Sequence, residues 1–174
     1  GDRDADIFTL HRDRCERLLE YIRAEKLQGV VLFDSSYVLY YSGFAFIPTE
    51  RPIAFVISSQ GERALYGPRL ELEHAQANSF VERVEHYQEY PDELHPMSIL
   101  EDVLKGMGVT ERIGADDDGY PWILGYRGPQ LSALTGATVI PIRPFVEDQM
   151  MVKSSTELAL IRESVRWGNL AHRL

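Results

Sequence analysis

Metal and hydrolytic chemistry need several ligands or acid/base groups brought to one point. The histidines that could serve are His11, His74, His86, His95 and His172. None falls at His-x-x-x-His spacing and the single cysteine offers no thiolate set to complement them, whereas a zinc site needs three or four convergent ligands. Each is therefore expected in a surface or structural role. Asp116-Asp117-Asp118-Gly119 superficially matches a calcium loop, in which carboxylates wrap a hard cation and a glycine permits the turn. With Gly119 at the loop's glycine position, its first and last ligand positions fall on Gly114 and Gly125, which carry no carboxylate. The run is expected to be a solvated strand-to-helix turn.

Nucleophilic and phosphate-binding chemistry find no better footing. The sequence has no Gly-x-Gly-x-x-Gly, no Gly-Lys-[Ser/Thr] and no Gly-x-Ser-x-Gly. Cys15 shares a helix face with Leu18 and Leu19 and is expected to be a small core residue. The carboxylate pairs Glu71/Glu73 and Asp92/Glu93 sit in polar contexts, where hydration leaves them without catalytic poise. No catalytic residue and no metal ligand is assigned to the chain.

One stretch is richer than a connection requires. Between Tyr37 and Pro52 lie Tyr40, Tyr41, Phe44, Phe46, a further proline and the charged pair Glu50-Arg51. Two readings stand: the rings close the end of a sheet, or they form an aromatic lip with an arginine able to grip a carboxylate of a ligand or partner.

The elements that must position these residues follow from apolar periodicity. Cys15, Leu18, Leu19 and Ile22 predict an amphipathic helix over Ile7–Lys26 that Gly29 terminates. Gly29-Val30-Val31-Leu32-Phe33 reads as a strand buried on both faces. A short helical stretch over Tyr37–Tyr41 precedes the strand Ile53–Ser58, the turn Gln60-Gly61 and a hairpin partner at Arg63–Tyr66. Pro68 opens a helix carried by Leu70, Leu72, His74 and Ala75 to about Asn78. Then come strand Phe80–Tyr87, helix Met97–Met107, strand Arg112–Ala115, helical turns between Trp122 and Leu134, and strand Ala137–Ile140. The expected fold is an α/β three-layer sandwich with a mixed sheet. Ser154-x-x-Glu157 is a capping box opening a helix with Leu158, Ile161 and Val165 on one face, which reaches Leu174 without a stop signal.

The chain has 174 residues with 18 Lys+Arg against 27 Asp+Glu, a net charge of −9. A domain of that size buries roughly 70 % of its unfolded surface, so neither disulfides nor a metal are needed to hold it together. The acidic balance, with only Lys26, Lys105 and Lys153 as lysines, argues against nucleic acid as a partner and against a nuclease. The longest uncharged runs, Ser35–Thr49 and Gly128–Ile142, are too short for a membrane helix of about 20 residues. The start Gly1-Asp2-Arg3-Asp4 has no Met and no apolar leader, and reads as a trimmed start. A lone thiol leans towards a cytoplasmic location.

Taken in order, Gly29-Val30-Val31-Leu32, Tyr37-x-x-Tyr40-x-x-Gly43-Phe44, Arg51-Pro52-x-Ala54-Phe55-Val56-Ile57, Gly61-Glu62, Pro68-Arg69-Leu70-Glu71, Ile113-Gly114 and Val152-Lys153-Ser154-x-x-Glu157-Leu158-x-x-Ile161-Arg162 resemble the N-terminal domain of the creatinase/prolidase/aminopeptidase P metallopeptidases. The resemblance covers essentially the whole chain. It implies a sandwich of ribonuclease H-like topology over residues 1–150, with 151–174 as linker and first helix of a pita-bread catalytic domain. In such proteins that second domain holds two divalent metals (Mn, Co or Zn) on two Asp, one His and two Glu, and no residue of this chain matches those ligands. Met150 stands where relatives usually carry an arginine, which removes a charge at the junction.

The resemblance further implies a homodimer in which the loop after Gly43-Phe44 borders the partner's active site. By that analogy Arg51, with Phe46 and Phe44, is the candidate for touching substrate in trans. The expected function is the non-catalytic N-terminal domain of a cytoplasmic proline-specific peptidase (Xaa-Pro dipeptidase or aminopeptidase P-like), inactive alone, contributing dimerisation and substrate restriction. Its partners would be its own catalytic domain, a second subunit and a proline-containing peptide. The alternatives are a stand-alone small-ligand or protein-interaction module, or the N-terminal domain of a creatinase-like amidinohydrolase.

Overall fold

The computed structural model describes residues 2–73, 75–88, 94–121 and 128–152. In order, the elements are α1 (Asp2–Ala24), β1 (Gly29–Leu32), α2 (Ser35–Ser42), β2 (Ala54–Ser58), β3 (Arg63–Pro68), α3 (Arg69–Leu72), α4 (Ala75–Asn78), β4 (Arg83–Tyr87), α5 (Pro96–Met107), β5 (Arg112–Ala115), α6 (Leu131–Thr135) and β6 (Thr138–Pro141). The chain divides into two compact units between Ile142 and Arg143. Within the second unit, residues 143–152 are described and are helical. The expected capping box at Ser154 and Glu157 and the helix beyond it lie outside the described residues.

The six strands form one sheet in the order β4-β3-β2-β1-β5-β6. Strand β2 is antiparallel to both β1 and β3, while β1/β5, β3/β4 and β5/β6 are parallel. The stretch β3-β2-β1-β5-β6 is the ribonuclease H-like order, with β4 added at one edge. Because side chains alternate across a strand, Val31, Val56, Ala64, Tyr66 and Ile113 join Met97, Leu100 and Leu104 of α5 on one face. On the other, Tyr41 of α2 stacks on Phe55 at 6.0 Å, and Cys15, Leu18 and Ile22 of α1 are buried. The sandwich has its expected three layers.

Local chemistry explains where the elements stop. Helix α1 ends at Ala24, and the residue that stops it is not Gly29 but Lys26, whose φ of 56° is left-handed. Leu27 N–H donates to Ile22 O at 2.9 Å and Lys26 N–H to Arg23 O at 3.2 Å, the paired bonds of a Schellman motif. Gly29 has a different task. A Cβ there would sit 2.6 Å from Ile57 O and 2.7 Å from a Val109 methyl, so glycine lets three segments close up. Asp34 caps α2 by accepting from Ser36 N–H at 2.9 Å, which starts the helix two residues before the periodicity indicates. His95 and Pro96 open α5 and Gly108, at φ 73°, closes it.

Two sequence expectations need correction. The helix predicted from Pro68 to Asn78 is two short ones, α3 and α4, and Leu70 stays 66 % exposed while Leu72 packs on Gly67. The strand predicted from Phe80 begins only at Arg83, because Phe80 N–H is taken by Ser42 O at 2.8 Å and its ring stacks on His11 at 4.7 Å. Of the turns predicted between Trp122 and Leu134, residues 122–127 lie outside the described residues, 128–130 are not helical, and α6 begins at Leu131.

Candidate functional site

Helix α2 delivers the aromatic loop, and α1 fixes its exit. The carbonyls at the end of a helix lack intrahelical donors. Here Tyr40 O receives Arg14 Nη1 at 3.0 Å and lies 3.0 Å from His11 Nδ1, and Tyr41 O receives the Cys15 thiol at 3.4 Å. The Arg14 guanidinium also lies 4.0 Å over the Tyr40 ring, a cation–π contact. At Gly43 the backbone turns left-handed, φ 80°, where a Cβ would crowd Phe80 and His11. The loop leaves the sandwich at a set point.

Beyond it, residues 43–53 are held by two remote tyrosines. Tyr120 donates its hydroxyl to Thr49 O at 2.5 Å and Tyr87 donates to Pro52 O at 2.9 Å. Thr49 Oγ1 in turn accepts the Arg51 N–H at 3.2 Å. Phe44 and Phe46 stack with centroids 6.0 Å apart. Together with Ala45, Ile47, Thr49 and Glu71 these rings line an open cleft of about 420 Å³. Ile47 projects at its mouth, 83 % exposed. The Tyr120 phenol is pushed up to about 12, chiefly by burial and in smaller part by the carboxylates Glu71 and Glu50, against the opposing pull of the bond to Thr49. Its hydroxyl stays a donor at any physiological pH.

Of the residues singled out from sequence, Phe44 and Phe46 meet in this cleft. Arg51 is exposed and is not among the residues lining it. Glu71, dismissed from sequence as an ordinary helical carboxylate, lines the cleft from α3. The signal available was its place in Pro68-Arg69-Leu70-Glu71, straight after the hairpin. Among the described histidines, His11 is buried against α2 and Phe80, His95 caps α5, and His86 is exposed on β4. His74, His172 and the Asp92/Glu93 pair lie outside the described residues. Cys15 is 4 % exposed, and burial pushes its thiol up to about 11, as suits a core side chain.

The acidic run proves structural rather than solvated. Asp116 is 8 % exposed and accepts Phe33 N–H at 3.0 and 3.1 Å and Asp34 N–H at 2.7 Å, joining the end of β1 to the end of β5. Asp118 accepts the Ser132 N–H at 2.8 Å and the Ser132 hydroxyl at 2.5 Å, anchoring α6. Only Asp117 is exposed. This turn, with Ala115, Ser132, Val139 and Pro141, borders a second cavity of about 430 Å³ at the carboxyl ends of β5 and β6. Among the described residues no three or more His, Cys, Asp or Glu side chains are grouped to hold a metal. No described helix is long and apolar enough to cross a membrane.

Comparison with known proteins places this geometry in context. The family model of the Creatinase/Prolidase N-terminal domain matches residues 14–152. An uncharacterized peptidase of Staphylococcus saprophyticus is 28 % identical over 67 residues, 38 % of this chain and 19 % of that protein, so the match spans about a fifth of the relative's length. A proline dipeptidase structure from Streptococcus pneumoniae superposes with TM-score 0.63 at 23 % identity, covering 79 % of this chain and 97 % of that one. The N-terminal domain of an Xaa-Pro dipeptidase from Lactobacillus brevis gives 0.60 at 20 % identity, covering 78 % and 98 %. A dipeptidase from Pyrococcus horikoshii gives 0.60 at 19 % identity over 79 % of this chain, yet only 36 % of its own. At such identities the superpositions speak to the fold.

Proposed function

Because this chain belongs to the creatinase/prolidase N-terminal domain family, we propose that it is the non-catalytic N-terminal domain of a cytoplasmic proline-specific peptidase, of the Xaa-Pro dipeptidase or aminopeptidase P kind. The observation that carries the reading is the clasped aromatic cleft on a domain whose described residues offer no grouped metal ligands. The two divalent ions of the hydrolytic chemistry would be held by a second domain, since the described residues here include no group of side chains that fits them. What this chain can supply is a wall. Rings stitched to the sandwich by Tyr120 and Tyr87 keep a fixed shape, and such a wall fixes substrate length and excludes water from a neighbouring site.

In this reading two subunits associate and the lip of each borders the other's active site. Phe44 and Phe46 supply the surface, and Arg51, exposed further along the same loop, meets a substrate carboxylate. The test compares this chain with the full-length gene product. The chain alone, given Mn²⁺, Co²⁺ or Zn²⁺, should hydrolyse no Xaa-Pro dipeptide, and the full-length protein should sediment as a dimer and turn such dipeptides over. Turnover by the chain alone, or a full-length protein inert towards every Xaa-Pro peptide, overturns the proposal.

A further inference from the structure

An edge strand presents backbone N–H and C=O groups that a further strand can take up. The edges of this sheet are β4 and β6. At β6, Thr138 and Ile142 give their N–H groups to Glu111 O and Ala115 O, so alternation turns Pro141 outward, where it has no N–H to offer. That edge is blunted. Strand β4 contains neither proline nor lysine, and it is only partly buried from Arg83 to Glu85 and exposed at His86.

The charges along β4 are antisymmetric about Val84, since Glu82-Arg83-Val84-Glu85-His86 reads acid, base, valine, acid, imidazole. An antiparallel two-fold pair centred on Val84 therefore sets Arg83 against Glu85 of a second copy, and Glu82 against His86 of that copy. Outward-facing backbone groups can meet only outward-facing ones, so a two-fold pairing must centre on a residue, and centring on Arg83 or Glu85 would set a charge against its own copy. Glu82 is already committed to Arg63, so the selection falls on Arg83 and Glu85. Both have capacity to spare. Arg83 holds Glu62 through Nη1 at 2.8 Å and Glu85 through Nε and Nη2 at 3.2 and 2.9 Å, which leaves a second N–H on each Nη. Both bonds to Glu85 end on Oε1, which leaves Oε2 to a further donor, and the two side chains are 36 % and 37 % exposed.

We propose that β4 is a contact by which two copies of this chain join, edge to edge and antiparallel about Val84, into one continuous sheet, each Arg83 being shared between its own Glu85 and that of the second copy. This surface is distinct from the lip, and the inference does not depend on the peptidase reading.

A strand of five residues makes a small interface, so the expected dissociation constant is on the order of 100 μM. Sedimentation equilibrium of this chain should show a monomer–dimer equilibrium of that order, and on dilution the amide resonances of residues 82–86 should shift more than those of the other strands. Arg83→Glu leaves acids at both positions and Glu85→Arg leaves bases at both, so each variant alone should dimerise about tenfold more weakly or worse. Mixed in equal amounts, the two variants set acid against base again and should recover association. Mixing does not repair a folding defect, and the resonance shifts are read on the parent alone. A chain still monomeric at about 1 mM, shifts that fall on residues 43–53 in place of 82–86, or two folded variants that associate no better together than apart overturns the proposal.

Discussion

Tyr120 and Thr49 are 71 residues apart in the chain, and the tyrosine hydroxyl donates to the threonine carbonyl at 2.5 Å. The Tyr120 ring also meets Phe33 edge-on with centroids 6.2 Å apart, so the clasp is anchored at the end of β1. Tyr120→Phe keeps the ring and deletes the bond. It should lower stability by about 1 kcal/mol, the net worth of one partly buried hydrogen bond. The sharper readout is local: amide exchange in residues 44–51 should accelerate more than exchange in β1 and β2. A uniform acceleration across the sheet would mean that the bond does not restrain the loop.

Asp116 is a second long-range tie, since its carboxylate takes the N–H groups of Phe33 and Asp34 from 82 to 83 residues away. Asp116→Asn keeps one acceptor oxygen and gives up the charge, at a cost of about 1.5–3 kcal/mol in urea unfolding. Asp116→Ala leaves buried N–H groups without that acceptor and should cost more. If Asn and Ala variants unfold at the same urea concentration as the parent, Asp116 is dispensable to the sheet.

These two ties show where the sequence was legible and where it was not. The run Val30-Val31-Leu32, the alternation that paired β2 with β3, and the 3.6-residue spacing of Met97, Leu100 and Leu104 are local signals, and the sheet and helices they imply are present. Phe44 and Phe46 stood out because a connection seldom holds so many rings. Asp116 and Glu71 gave no such sign, because the meaning of a carboxylate lies in partners that only the fold brings near. Phe80 was misplaced for the same reason, its β-like neighbourhood being outweighed by Ser42 and His11.

Gly29 carries a related lesson, since from sequence it looked like a helix stop. Its role is proximity, so Gly29→Ala should destabilise by about 1–3 kcal/mol through overpacking. The added methyl would meet the Ile57 carbonyl at 2.6 Å as well as the Val109 side chain at 2.7 Å. Val109→Ala in the same chain should therefore recover only part of the loss, because the backbone oxygen remains. Full recovery in the double-mutant cycle would show that Val109 alone sets the constraint.

Cys15 gives a chemical probe of the α1–α2 seam. Burial lifts its thiol from 9.0 to about 11 against the smaller opposing pull of Arg63. At pH 8 that shift alone lowers the thiolate population about a hundredfold, and the thiolate is the reactive form. Modification by an aromatic disulfide reagent should be at least that much slower in the native chain than in denaturant. Comparable rates would place the thiol at the surface.

His95 makes one part of the fold pH-sensitive. Its Nδ1 accepts the Met97 N–H at 3.1 Å at the start of α5, which only an unprotonated Nδ1 can do. Partial desolvation holds its pKa below the ordinary 6.5. The unfolded chain therefore binds the proton more tightly than the folded one, and stability rises with pH between the two values. The contribution is complete above 6.5 and is lost as pH falls through the folded-state value. Glu82 behaves in the same sense but lower: burial raises it, and the hydrogen bonds and charge of Arg63 together outweigh burial and hold it below 4.5, so the two windows separate. His95→Asn keeps a capping acceptor that does not titrate, whereas His95→Ala removes the cap at a cost of about 1 kcal/mol at neutral pH. Urea unfolding just below pH 6.5 should show the parent losing stability while the Asn variant holds. Parallel curves for the two would assign the slope to groups other than His95.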